Sequence, residues 1–593
     1  MRPYYFIALC FFLVGCNAQK YEITFKVDMT HEEAGQVGIV GNISPLSESS
    51  VLPLDDVDGD GIYETSITFN TSKKNLKFRF VNNDNKELKG SDDRILWFKP
   101  QPMTAEYVYN EFQYYSQDEI NKLRYTKMQV HEDIGVLQET LQYIHPNIYK
   151  YIDSVALQKE FFVLERRINQ KPNITTVYKE VSRFLSKIKC SHTFTNPWNQ
   201  GPDIEKALFY QPDKVPFTFR RIGKRLFLDK NGSDNEQLKR GWEIQSINGT
   251  KVSAVLDSLA HYITSDGNNY EKKLERLVVL EEDKFSLFDI FYPLEFGSPE
   301  QFELTLLHPV SGDRISTQVK AVSKTYRTKK LLEKYGQVNV DFADGWTFKI
   351  LEGGIGVLYI NSFAVQGKDF DWQDFLDNVF VQLNTTNVNS FIIDVRDNEG
   401  GQGEVAEYIL ERVIQKPLSI PAMQASVRYL TIPDTFKEHI STWSKIPYNF
   451  KGKYEYEENG RYFLKDKYSV KARTYKPHKD GFKGKVYLIT GPQNSSATHL
   501  MASYASLIDE VTLVGRETGG NVQGLNASFI FFLRLPNSRV EIDIPVIGMQ
   551  VPLEEFTQRD GGILPDIPLT HVPEDFIAER DAVLEELLET IRE

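Results

Sequence analysis

The sequence predicts a multidomain α+β fold: an N-terminal β-sandwich, a helical bundle, a second strand-rich module and an α/β core. Three observations predict it. The 593 residues exceed the ~250–300 at which a single hydrophobic core stops growing. The hydrophobic spacing changes three times, from two-residue alternation to the helical period, back to strands, and then to apolar strands alternating with helices. The composition, 41% hydrophobic and 25% charged, excludes a mainly disordered chain. Aromatics at 12% favour sheets, because large rings fit a half-buried pleated surface. The formal charge of −13 leaves no Lys/Arg excess to displace counterions, so nucleic acid is excluded as the main ligand.

The first residues form an apolar run, Tyr4 to Val14, too short to span a bilayer but suited to a signal-peptide h-region. It ends in Leu13-Val14-Gly15-Cys16, which resembles the lipobox of bacterial lipoproteins. The resemblance implies a signal peptide over 1–15 and lipid attachment at Cys16. It also implies a cell-envelope protein anchored to a bacterial membrane, periplasmic or surface-exposed. Cleavage near Ala18 as an ordinary secretory peptide is the alternative. With Cys10 removed and Cys16 acylated, only Cys190 remains, so no intrachain disulfide is expected.

Residues 20–112 alternate in the strand period, as in Tyr21–Val27 and Leu76–Val81, between Asp, Gly and Asn clusters. That spacing predicts an antiparallel sandwich. Gly38–Asn42 and Asp58–Glu64 resemble starch-binding-type modules, which implies a carbohydrate partner. Asp56, Asp58 and Asp60 imitate the start of a calcium loop, but Ile67 stands where the loop needs its closing Glu, so a turn is expected. Residues 116–200 read as helices: Ile134, Leu137, Leu141 and Ile144 share one face, and His145-Pro146 ends it. Further helices are expected over 155–168 and 175–188.

Residues 206–330 return to strands. Gly241 to Gly249, with the tight-turn pair Asn248-Gly249, resembles a PDZ-like module, which would bind peptide along a sheet edge. The α/β core spans 340–593. Ser390–Val395 and Gly484–Thr490 are continuous apolar strands suited to a sheet buried on both faces. Helical stretches at 371–384, 403–413 and 497–508 alternate with them.

Two loops of that core carry chemistry. In Asp394-Val395-Arg396-Asp397-Asn398-Glu399-Gly400-Gly401, paired glycines after a strand let the backbone turn sharply and expose its N–H groups. In Asn494-Ser495-Ser496-Ala497-Thr498-His499, a serine opens a helix after a strand, where unpaired N–H groups favour developing negative charge. Read alone, Ser496 or Ser495 is an ordinary N-cap. The ordered set, continued by Val514-Gly515-Arg516-Glu517-Thr518-Gly519-Gly520 and Pro565-Asp566, resembles the tail-specific and tricorn core serine proteases.

That resemblance implies a crotonase-like spiral core, Ser496 as nucleophile, and an oxyanion hole from Gly400, Gly401 and Ala497. It implies hydrolysis of exported proteins or peptides. Asn521 stands where tail-specific members carry the basic Lys, so a Ser/Lys dyad is not expected. The tricorn-like branch uses a His after the helical segment, matched by Ser191-His192-Thr193. His192 is then the base, Ser191 its polar support, and His499 the rival. The orienting acid falls near Arg559, with Asp560 the closest carboxylate and Glu555 the fallback. The second reading is a catalytically inactive lipoprotein of the same fold that binds peptide or glycan. Neither Gly-x-Ser-x-Gly nor His-Glu-x-x-His occurs, so an α/β-hydrolase esterase is disfavoured and neither metal nor cofactor is expected.

Overall fold

Hydrophobic alternation lays down the first strands of the computed structural model, which describes residues 19–88, 93–281, 285–336, 342–420, 423–465, 472–550 and 560–593. Cys16 and the 1–15 segment, Glu555 and Arg559 lie outside the described residues. The chain divides into two compact units, Met1–Gln113 and Tyr114–Glu593.

In the first unit, β1 (Gln19–Asp28), β2 (Val37–Gly41), β3 (Ile62–Thr71), β4 (Asn75–Asn82), β5 (Arg94–Trp97) and β6 (Met103–Val108) form two sheets. β1 lies between β3 and β6, and β4 pairs with β2 and β5. Ile23, Phe25 and Val27 of one sheet and Leu76, Phe78 and Phe80 of the other share one buried core. The pairing of β6 with β1 is parallel, Phe25 opposite Ala105, unlike the all-antiparallel expectation.

In the second unit, after a short helix at Gln117–Lys122, come α1 (Lys127–Ile144), α2 (Ser154–Gln170) and α3 (Ile174–Leu185). Side chains of Thr126, Asp153 and Asn173 cap their N-termini. Helix α1 buries Val130, Ile134, Leu137, Leu141 and Ile144 and stops at His145, because the residue before a proline avoids the helical region.

An antiparallel sheet follows: β7 (Phe217–Ile222), β8 (Arg225–Asn231), β9 (Glu243–Ile247), β10 (Gln301–Leu307) and β11 (Arg314–Lys320), in the order β11-β10-β9-β8-β7. Asn248 and Gly249 make the expected turn with φ of +47° and +75°. Between β9 and β10 run α4 (Val252–Leu259), α5 (Tyr270–Glu275) and α6 (Leu287–Phe296).

The core sheet orders β12 (Trp346–Leu351), β13 (Ile355–Ile360), β14 (Ser390–Asp394), β15 (Lys485–Thr490), β16 (Val511–Gly515) and β17 (Ile567–Pro568) side by side. Only β12 is antiparallel to its neighbour. Alternate residues feed opposite faces. Phe391, Ile393 and Leu488 pack on α7 (Trp372–Thr385), α8 (Gly403–Val413) and α9 (Ser496–Ala505). Ile392, Ile489 and Val514 pack on Val583 and Leu587 of the last helix. A second sheet, with the long strands Leu525–Arg534 and Glu541–Gln550, joins one continuous hydrophobic cluster with the helices and the 217–320 sheet.

Candidate active site

The parallel strands β14 and β15 deliver the two chemistry-bearing loops side by side. Asn494, fully buried, binds them together: its Nδ2 donates to Asn398 O at 3.0 Å and to Val395 O, and its Oδ1 accepts from Gly491 N at 2.8 Å. Asn398 Oδ1 in turn accepts from Gly400 N and Thr498 Oγ1, both at 2.8 Å.

Ser495 is the N-cap residue of α9, but its hydroxyl donates to Glu399 O at 2.9 Å rather than capping the helix. Ser496 is the first helical residue, half-buried, with a left-handed φ of +49°. For a residue with a Cβ that conformation costs about 1–3 kcal/mol and is sustained only where the surroundings impose it. Ser496 Oγ has no hydrogen-bond partner among the described residues. Gly400 and Gly401 have φ of +120° and +138°. A Cβ on Gly400 would lie 2.9 Å from Ser496 Cβ and 3.1 Å from Ala497 N, so only glycine lets this loop rest on the serine. The Gly400 N–H is committed to Asn398. The N–H groups of Gly401 and Ala497 have no backbone or side-chain acceptor among the described residues.

His192 follows α3 on a segment pinned to the second core sheet. Asp543 N donates to Phe194 O at 3.0 Å, and Asn196 and Asn199 amides donate to the Asp543 carboxylate at 2.8 and 2.9 Å. Buried Asp266, from the loop before α5, accepts from Ser191 N at 3.0 Å and Ser191 Oγ at 2.6 Å. Ser191 Oγ lies 3.3 Å from His192 Nδ1. A carboxylate only accepts, so the hydroxyl proton points to Asp266 and the oxygen lone pair takes the Nδ1 proton. That polarity leaves Nε2 as the basic nitrogen. Nε2 has no hydrogen-bond partner among the described residues. Burial lowers the His192 pKa, with Arg276 and Lys272 adding to the fall and Asp266 and Glu399 opposing it. The ring is therefore neutral at neutral pH. Lys272 and Glu399, two of the charges acting on His192, also touch the Ser496 loop: Lys272 Nζ donates to Gln493 O at 2.8 Å and Glu399 O accepts from Ser495 Oγ at 2.9 Å.

The other sequence candidates sit elsewhere. Asp560 accepts from Asn521 Nδ2 at 2.7 Å, Asn268 N at 3.3 Å and Asn268 Nδ2, and none of its hydrogen bonds reaches Ser191 or His192. The carboxylate hydrogen-bonded to Ser191 is that of Asp266. No sequence motif flags that residue; only the loop's long-range return to Ser191 does. Asn521 is buried and also donates to Tyr151 Oη at 3.1 Å. His499 is buried with Nδ1 2.8 Å from Thr518 Oγ1. Burial pushes its pKa down to about 4, against opposing effects from Asp266 and the Asn521 backbone. It is a neutral packing residue committed to Thr518.

Among the described residues, the one group of clustered metal-ligand types is Asp56, Asp58 and Asp60 in the first unit. Asp56 already accepts from Gly59 N and Gly61 N at 2.8 and 3.0 Å, and Asp60 from Ile62 N at 2.8 Å. No described helix is long and apolar enough to cross a membrane.

Residues 354–569 match the model of peptidase family S41. That stretch contains Ser496 and both glycines but neither His192 nor Asp266. No curated protein matches the sequence. Among solved structures, mature CPAF is 14% identical with a TM-score of 0.52, covering 78% of this chain and 96% of that one. CPAF complexed with lactacystin is 13% identical with a TM-score of 0.51, covering 78% and 97%. The photosystem II D1 C-terminal processing protease is 12% identical with a TM-score of 0.34, covering 77% and 99%. The CPAF likeness shows a shared fold.

Proposed function

From the premise of a serine-type peptidase with a family S41 domain, we propose that the chain is an endopeptidase of exported proteins or peptides, working through Ser496 and His192. The observation that carries this reading is Ser496 itself. A strained, half-buried serine whose hydroxyl has no hydrogen-bond partner among the described residues opens a helix against two glycines, at the meeting point of two loops tied by Asn494. Backbone strain of this kind clusters at functional sites.

In the proposed reaction, His192 Nε2 takes the Ser496 proton as Oγ attacks the peptide carbonyl. The Ala497 N–H, at the positive end of α9, and the Gly401 N–H hold the oxyanion. Asp266, through Ser191, stabilises the imidazolium that forms. His192 then gives its proton to the leaving amine. Water hydrolyses the acyl-enzyme by the same route in reverse.

Further proposals complete the picture. The lipobox-like Cys16 carries a lipid that keeps the enzyme at the cell envelope. The 206–330 segment is a PDZ-like module presenting substrate ends, and residues 20–112 are a sandwich able to hold glycan.

A fluorophosphonate probe tests the central claim. The wild type labels and hydrolyses a fluorescent casein, and Ser496→Ala does neither. A wild type that fails to label, or a Ser496→Ala protein that still does, sinks the assignment.

A further inference from the structure

We infer that Lys272, carried by α5, is a positioning residue for the acyl-transfer centre, holding the glycine loop and the serine loop together through Glu399 and Gln493. The inference rests on the peptidase reading above. The Lys272 side chain is 3% exposed. Its Nζ donates to Glu399 Oε1 at 2.7 Å, Gln493 O at 2.8 Å and Gln493 Oε1 at 3.1 Å. An ammonium has three N–H donors and no acceptor, so these three hydrogen bonds use every donor; burial lowers the Lys272 pKa and Glu399 opposes the fall.

What it holds is the site itself. Glu399 directly precedes Gly400, and its carbonyl accepts from Ser495 Oγ. Gln493 leads into Asn494 and Ser496. One cation therefore closes a ring through both loops that flank the attacking oxygen. Burying a lysine is unfavourable until its partners offset it, and a well-packed apolar side chain often serves stability as well or better. The charge is explained by what it positions.

Helix α5 is itself fastened to the core. The Asn269 side chain caps it and donates to Thr518 O at 2.8 Å. Arg516 reaches Glu271 at 2.9 Å and Glu275 at 3.2 Å. Asp266 lies on the same stretch of chain, so one segment supports the base and both loops.

The charged groups around His192 are Asp266, Arg276, Lys272 and Glu399. Lys272 favours the neutral imidazole and Glu399 the charged one. The acid limb of kcat/KM reports the free-enzyme pKa of the base. Removing the cation therefore moves that limb to higher pH, and removing the anion moves it to lower pH. A purely structural defect produces no such opposed pair.

The experiment compares pH profiles of the full chain as wild type, Lys272→Met, Glu399→Gln and the double variant. Each single variant is expected to lower kcat about 100-fold with KM little changed, the scale of a misplaced reacting group. The limb is expected to shift in opposite directions and to return in the double variant. Glu399 has a side chain 60% exposed, so Glu399→Gln keeps the test alive if Lys272→Met does not fold. Single variants with wild-type kcat, or limbs that move together or not at all, overturn the positioning role alone. An inert wild type overturns the peptidase reading and this inference with it.

Discussion

Replacing Asp266 by Asn should disable the base without disturbing the shape of the site. In the native arrangement the Ser191 hydroxyl donates to Asp266 Oδ2 at 2.6 Å and so must accept from His192 Nδ1. An amide nitrogen in place of that oxygen reverses the polarity. It donates to Ser191 Oγ, frees the hydroxyl proton for Nδ1, and favours the tautomer whose Nε2 already carries a proton. Hydrogen bonds to charged groups contribute about 1.5–3 kcal/mol. At about 1.4 kcal/mol per factor of ten, kcat/KM should fall roughly 10- to 150-fold. Because Asp266 raises the His192 pKa, the acid limb of the remaining activity should also move to lower pH. Both are read from fluorescent-casein turnover across pH and from fluorophosphonate labelling rates, with a thermal melt to check folding. An Asp266→Asn protein with wild-type turnover and an unmoved limb refutes the Asp266–Ser191–His192 chain. So does a larger loss from Asp560→Asn.

The two candidate histidines should separate cleanly. His192→Ala is expected to lower kcat by about 10²–10⁴, the range for a lost general base. His499→Asn should instead cost about 1–3 kcal/mol of stability through the unsatisfied Thr518, measured by urea titration; the reverse pattern would exchange their roles. Asp543, which pins the His192 segment, has its carboxyl pushed up to about 6 from 3.8, mainly by burial. A raised folded-state value means stability is fully present below the unfolded value and lost as pH rises through about 6. The gap amounts to about 3 kcal/mol. The melting temperature of Asp543→Asn should therefore gain on the wild type between about pH 4 and pH 7; a constant difference would contradict it.

Where function lay in local pattern, the sequence was readable. The apolar face of α1 and its stop before Pro146 follow from the helical period and from proline chemistry. The buried strands β14 and β15 announced themselves as unbroken apolar runs, and the helix opened by Ser496 begins where a strand ends. The second core sheet left no such signal, because its pairings join segments as distant as Gln424 and Gln550. Asp266 and Lys272 were invisible for the same reason. Each is an isolated polar residue in a loop or short helix, and its partner lies 75 or 127 positions away. The expected acid near Asp560 rested on chain order alone. In space Asp560 meets Asn268 and Asn521, the near neighbours of the carboxylate that reaches Ser191.

The continuous cluster that joins α1, α3 and the 217–320 sheet to the strands 525–534 and 541–550 rules out a miniature version of this enzyme. A fragment cut to residues 354–569 would keep Ser496 and lose His192. It would also turn Phe531, Leu533, Ile542 and Ile544, each buried to 0% exposure, out to water, where greasy strands seek one another. Transplanting this chemistry onto another scaffold therefore means moving the upstream helices and the middle sheet along with the catalytic fold.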